Sequence, residues 1–120
     1  MHAFDVLGDP VRRRILALLA TGEHPAGRVA EVVGAEFGIG QPAVSQHLKI
    51  LRENGFATVR AEGSRRLYAI DTGGLAEADE FLHQLRTGWE RRLDALGTEL
   101  ARGRRARRDR AGDDPRGTSR

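Results

Sequence analysis

One stretch constrains this chain more than any other. From Pro42 to Asn54, Val44, Leu48 and Leu51 recur at steps of four and three, while Ser45, Gln46, Lys49 and Arg52 fall on the other side. That spacing predicts an amphipathic helix. Pro42 suits its first position, and Asn54-Gly55 is a good stop. Just before it, Gly38-Ile39-Gly40-Gln41 reads as a short turn. Before that turn, Val29, Val32, Val33 and Phe37 supply the apolar stripe of another helix, from about Pro25 to Glu36. Two helices joined by a short glycine-containing turn, the second with a polar outer side, make a helix-turn-helix arrangement.

The flanking segments fit around it. Phe4 and Leu7 suggest a short helical turn with one apolar face. Asp9-Pro10 reads as an N-cap followed by a favoured first position. A helix is expected from Pro10 to near Thr21, with Val11, Ile15, Leu18 and Leu19 inward and Arg12, Arg13 and Arg14 on the other side. After Gly55 the period changes. Phe56–Arg60 and Arg66–Ile70 alternate in part around a turn at Ala61–Arg65, the pattern of a β-hairpin. A hairpin directly after a helix-turn-helix is a wing. A long helix is expected from about Leu75 to Ala101, with Leu75, Ala78, Leu82, Leu85, Trp89, Leu93, Leu96 and Leu100 at steps of three and four. That is close to a heptad seam. At 1.5 Å per residue such a helix is roughly 40 Å long. It is longer than a small domain can bury, so it reads as a dimerisation helix; a core helix with a frayed end is the alternative. The fold class is thus mainly α with a small β-hairpin: a winged helix-turn-helix, dimeric through its terminal helices. Residues 1–101 are expected to form the winged helix-turn-helix and dimerisation domain, and 102–120 a disordered basic tail.

Charge and composition exclude several classes. The chain has no cysteine, so it can form neither a disulfide nor a thiolate metal site. No apolar run approaches the ~20 residues of a membrane helix, and no signal peptide is recognised at the N-terminus, so a cytoplasmic location is expected. The net charge of +3 is unevenly spread. Residues 102–120 hold eight Arg and three Asp, and residues 42–66 five basic and two acidic groups, whereas 71–99 hold three basic and seven acidic. The helix-turn-helix and hairpin therefore suit a polyanion, and the segment after them does not.

Four stretches together resemble the ArsR family of bacterial winged-helix repressors: Leu7-Gly8-Asp9-Pro10-Val11-Arg12-Arg13-Arg14-Ile15-Leu16, Gln41-Pro42-Ala43-Val44-Ser45-Gln46-His47-Leu48-Lys49-Ile50-Leu51, Gly63-Ser64-Arg65-Arg66-Leu67-Tyr68 and Trp89-Glu90-Arg91-Arg92-Leu93-Asp94-Ala95-Leu96. The last block is most similar to the branch that lacks metal sites and includes autorepressors. Two departures stand out. The segment from Val29 to Ile39 is about four residues longer than usual, and Gly40 stands where the family commonly has Ser. The resemblance implies a homodimer that represses transcription by occupying duplex DNA.

On that reading the third helix lies in the major groove with its first turns on base edges. Gln41, Ala43, Ser45 and Gln46 are placed to reach: a Gln amide can pair with adenine, and the Ala methyl can meet the thymine methyl. Ser45 and His47 suit bases or phosphates, and Lys49 and Arg52 suit phosphates. On the hairpin, Arg60, Arg65 and Arg66 suit a minor groove or the backbone. Arg12, Arg13 and Arg14 could clamp phosphates or form a plain exposed face, and the Arg-rich tail could add non-specific affinity. Phe4, Leu82, Leu85, Trp89, Leu93 and Leu96 are the dimerisation candidates.

Two other functions compete with this one. A metal-responsive repressor would need a His/carboxylate site. Asp79 and His83 stand four apart on the long helix, but no second His follows them. No metal and no cofactor is therefore expected. A winged helix that binds protein is the second alternative, and the polar third helix and basic hairpin speak against it. No phosphate-cradling glycine loop or nucleophile motif points to an enzyme.

Overall fold

The computed structural model describes residues 1–110. It divides into two units, Met1–Glu80 and the segment from Phe81 onward.

The first unit opens with α1, Ala3–Leu7, where the Asp5 carboxylate accepts the His2 N–H at 3.0 Å. Its buried residues are Ala3 and Val6, while Leu7 is half-buried against the core and Phe4 is exposed. Next, α2 spans Pro10–Leu19. Asp9 caps it as expected, its Oδ1 accepting the N–H of Val11 at 2.8 Å and of Arg12 at 3.2 Å. The helix stops at Leu19, two residues short of the expected end, and Ile15, Leu16 and Leu19 face the core. Arg12 corrects the sequence reading: it is buried, its Nε donating to the Val6 carbonyl and its Nη2 to the Asp5 carbonyl, both at 2.9 Å. The reason lies in helical phase. Arg12 stands three, four and seven residues before Ile15, Leu16 and Leu19, on the same stripe.

A two-residue strand, β1 (His24–Pro25), leads into α3, Ala26–Phe37. Val29 and Val33 are buried, Val32 is half-buried and Phe37 is exposed. The turn to the next helix is tight because Gly34 has no side chain: a Cβ there would stand 2.9 Å from the Ile39 carbonyl oxygen, whose residue also donates its N–H back to Gly34 at 3.1 Å. Then α4 runs over Gln41–Glu53 with Val44, Leu48 and Leu51 buried, as its spacing predicted.

The hairpin is longer than expected. Strands β2 (Ala57–Glu62) and β3 (Arg65–Ile70) leave only Gly63 and Ser64 in the loop. Gly63 takes φ +61° at the first loop position, as a type II′ turn requires. The sheet is antiparallel in the order β1-β3-β2, with Tyr68 opposite both His24 and Val59. The adjacent Leu67 and Tyr68 point to opposite faces of β3 and are both buried, so both faces are covered there. This blurs the alternation that half-buried strands show. The strand β1 was not anticipated: two residues, one of them Pro, carry no periodic signal.

The last element is α5, Gly73–Arg110, opened by the Asp71 carboxylate accepting the Gly73 N–H at 2.9 Å. In the first unit its Ala78 joins the core, together with Phe56 and Leu75. In the second unit it is the single described element. It continues nine residues past the expected end at Ala101, so residues 102–110 of the expected disordered tail are helical. Arg and Ala are strong helix formers, and cations suit a helix C-terminus. Residues 111–120 of that tail lie outside the described residues.

The cap of α2 titrates. Partial burial pushes the Asp9 carboxyl up, but the N–H groups of Arg12 and Val11 and the charges of His47 and Arg12 outweigh it and hold the group below its ordinary value. A depressed carboxyl contributes stability that is present above its unfolded pKa of about 3.9 and is lost as pH falls through the folded value. Asp9→Ala should cost about 1 kcal/mol at pH 7. Asp9→Asn, which keeps an acceptor but cannot ionise, should lose less, and its deficit relative to wild type should shrink as pH drops below about 4. Urea melts at pH 7 and in acid check both; a deficit that grows in acid would contradict the assignment.

Candidate nucleic-acid interface

The surface of α4 follows from what its other side buries. With Val44, Leu48 and Leu51 in the core, Gln41, Ala43, Ser45, Gln46, Lys49 and Arg52 are all exposed. The residues that sequence reasoning selected on this helix therefore share one outer side, with one exception. His47 is half-buried, and its Nδ1 lies 3.3 Å from Nη1 of Arg12. The first turn of α4 is uncharged. Gly40 is its N-cap in extended conformation and supplies no side-chain acceptor.

Ion pairing sorts the cations around it. Arg60 on β2 donates to both oxygens of Glu23, at 2.8 and 2.7 Å, and to Glu62 at 3.2 Å. Hydrogen bonding by Glu23 raises the Arg60 pKa, and the same contact lowers that of Glu23. Arg65 stands 3.6 Å from Glu62. Arg14 forks onto Glu36 at 2.7 and 2.9 Å, joining α2 to α3 and holding the Glu36 carboxyl below its usual range. Arg13 donates to the Leu7 carbonyl at 2.7 Å. Each of the three arginines of α2 thus holds protein groups. Among the described residues, Lys49, Arg52 and Arg66 form no ion pair, and all three are exposed.

The expected dimerisation residues are exposed as well. Leu82, Leu85, Trp89, Leu93 and Leu96 recur along α5 in the second unit, Trp89 at 59% exposure, and Phe81 and Leu100 extend the set. Phe4 belongs to the first unit, where it is 37% exposed and stacks on the His2 ring at 6.1 Å. Asp79 and His83 are both exposed. Among the described residues no three His, Asp or Glu side chains gather as a metal site would need, and no helix is long and apolar enough to cross a membrane.

Sequence reasoning missed the inward role of Arg12 and the pairing of Arg60. The phase of Arg12 on α2 was a usable signal. The Arg60–Glu23 pair spans 37 positions and left none.

Comparison with known proteins accords with this geometry. A family model described as a helix-turn-helix domain matches residues 7–60. The chain is 35% identical, over 82% of its length and 92% of the relative's, to the HTH-type transcriptional regulator Rv2034 of Mycobacterium tuberculosis. The transcriptional repressor SdpR of Bacillus subtilis is 34% identical over 64% of this chain and 81% of its own. A solved homodimeric winged helix-turn-helix DNA-binding domain from Mycobacterium bovis, described as a possible ArsR-family transcriptional regulator, superposes with a TM-score of 0.54 at 26% identity, covering 71% of this chain and 75% of that one. The chain belongs to the ArsR family. The winged helix-turn-helix expected from its residues is the family's fold.

Within this ArsR-family chain α4 starts without a side-chain cap. A Cβ at Gly40 would meet only Pro42 Cδ, at 3.5 Å, and the backbone there is one that any residue adopts. Pro42 has no N–H, so a Ser hydroxyl at 40 would accept from Ala43. Gly40→Ser should stabilise the fold by about 0.5 kcal/mol, from the cap and from a less flexible unfolded chain. Thermal melting checks this; an unchanged or lower Tm would count against the cap geometry.

Proposed function

We propose that this chain is a sequence-specific DNA-binding transcriptional repressor that occupies a palindromic operator as a homodimer. The observation that carries the reading is the outer side of α4: uncharged hydrogen-bonding side chains at its start, held in place by three buried apolar residues and flanked by cations without carboxylate partners. Uncharged amides and hydroxyls discriminate base edges, whereas free cations bind phosphates. Gln41, Ala43, Ser45 and Gln46 read bases in the major groove, and His47 supports them. Lys49 and Arg52 contact phosphates from α4 and Arg66 from the wing, and Arg65, whose partner Glu62 stands at the longer 3.6 Å, joins them. The names of the relatives agree, since SdpR is a transcriptional repressor and the Mycobacterium bovis domain is a homodimeric DNA-binding domain.

The dimer forms through the apolar seam of α5, from Leu82 through Leu85, Trp89 and Leu93 to Leu96, with Phe4 contributing. An uncovered row of large apolar side chains marks an association surface. Two recognition helices related by a two-fold axis read half-sites about one helical turn apart. Repression is by occupancy, without catalysis, and a cytoplasmic location goes with it. The chain offers no thiolate for a metal. Asp79 and His83 alone make an incomplete site, so DNA binding here does not depend on a metal ion.

Selection of duplex DNA from a random pool at near-physiological salt tests the reading. An enriched palindrome supports it. Retention without enrichment, or none, refutes sequence-specific binding and favours a protein partner for the same surface.

Four variants probe the parts. Gln46→Ala should weaken operator binding by about 1–3 kcal/mol while sparing non-specific DNA; equal loss on both would contradict base reading. Arg66→Ala should reduce the salt slope of binding by about one. Arg60→Ala, whose guanidinium already serves Glu23 and Glu62, should change the slope little, so equal effects would show that ion pairing does not sort the wing cations. Trp89→Glu should convert the dimer to monomer in sedimentation; a variant that remains dimeric removes α5 from the interface.

A further inference from the structure

Arg12 is the buried charged side chain among the described residues. Its guanidinium serves three elements at once. Nε and Nη2 donate to the Val6 and Asp5 carbonyls near the end of α1, which a five-residue helix cannot satisfy internally. Nη1 stands 3.9 Å from Oδ2 of Asp9, the cap of its own helix. The same Nη1 stands 3.3 Å from Nδ1 of His47 on α4. A guanidinium has five donors and no acceptor. Nδ1 must therefore accept, and in the neutral ring the proton resides on Nε2. That second nitrogen has no protein partner among the described residues, yet no buried side-chain nitrogen or oxygen is left without one. Nε2 is thus open to solvent.

We infer that Arg12 is a positioning residue that fixes His47 with Nε2–H outward, making it a donor matched to a hydrogen-bond acceptor on DNA. The inference rests on the DNA-binding reading above. The acceptor is a phosphate oxygen or a base-edge acceptor such as guanine O6 or N7; an exocyclic amine, being a donor, is rejected. A ring free to exchange its tautomers would serve either. Arg12 also restrains the ring, so the interaction is made without ordering a mobile side chain at the moment of binding.

The test has a part without DNA and a part with it. In the free full-length protein, ring nitrogen NMR should show the His47 Nδ1 unprotonated and hydrogen-bonded, with the proton on Nε2. Arg12→Met should release Nδ1 from its hydrogen bond and let both tautomers appear. A proton on Nδ1 in wild type overturns the inference whether or not the Arg12 variant folds. On the selected duplex, His47→Asn keeps a near acceptor for Arg12 but lacks the distal donor, and should weaken binding about tenfold. His47→Gln, which can carry an N–H to the distal position, should recover part of that loss. The double variant Arg12→Met/His47→Asn should lose less than the two single losses combined. Fully additive losses, or an Asn variant that binds as wild type does, would reduce Arg12 to a structural role. Loss on all sequences alike identifies the acceptor as phosphate, and loss confined to one operator position identifies it as a base edge. Wild type that selects no sequence defeats the DNA reading itself and leaves the free-protein result standing apart from it.

Discussion

The burial of Val44, Leu48 and Leu51 is the constraint on which the first eighty residues depend. The core of that unit is small, and each helix can offer it only one stripe. Leu48 and Leu51 stand among its most completely buried side chains, beside Phe56, Ile15 and Leu19. Because α4 is anchored by that row, the phase of its remaining residues is settled too. Nothing else is needed to turn Gln41, Ser45, Gln46, Lys49 and Arg52 outward together. A helix held by three buried residues also presents them with little rotational freedom, as a surface that reads base edges must.

Charge pairing then decides which cations remain for a partner. The chain is rich in arginine, yet arginines on the body are largely engaged: Arg14 with Glu36, Arg60 with Glu23 and Glu62, Arg12 with backbone carbonyls and His47. These contacts tie α2 to α3, the wing to the loop before β1, and α1 to α2. In the first unit the side-chain cations left with neither an ion pair nor a protein hydrogen bond, Lys49, Arg52 and Arg66, lie on α4 and on the strand of the wing. On the proposed function, the three arginines of α2 and Arg60 serve the fold, and Arg52 and Arg66 serve phosphates. Net charge alone could not distinguish the two groups.

The second unit poses a different problem from the first. In α5 beyond Phe81 the leucines and Trp89 repeat with almost heptad regularity, but the described structure leaves them uncovered. A helix of this length gains little from propensity alone against fraying, and tertiary or quaternary packing of its apolar face is the usual source of stability. That is the physical case for a second copy of the chain as the cover.

Local pattern determined most of the architecture. The 3.6-residue period of Val44, Leu48 and Leu51, the Asp9-Pro10 start of α2 and the glycine between two alternating strands each act within a few residues, so the helix-turn-helix, the cap and the wing were legible in order and in type. The outer side of α4 was legible for the same reason, since naming the buried stripe names its complement. Only the tertiary structure decided what depended on distant partners. The strand β1 exists because β3 offers it an edge, not because His24-Pro25 favours extension. Arg60 is neutralised by a glutamate 37 positions away. The phase of α2 sets Arg12 on the inward stripe, but only the folded chain brings the Asp5 and Val6 carbonyls and His47 within reach of its guanidinium. Periodicity records which side of an element is apolar. Whether a charged residue on that side is tolerated depends on hydrogen-bond partners that only the folded chain brings within reach.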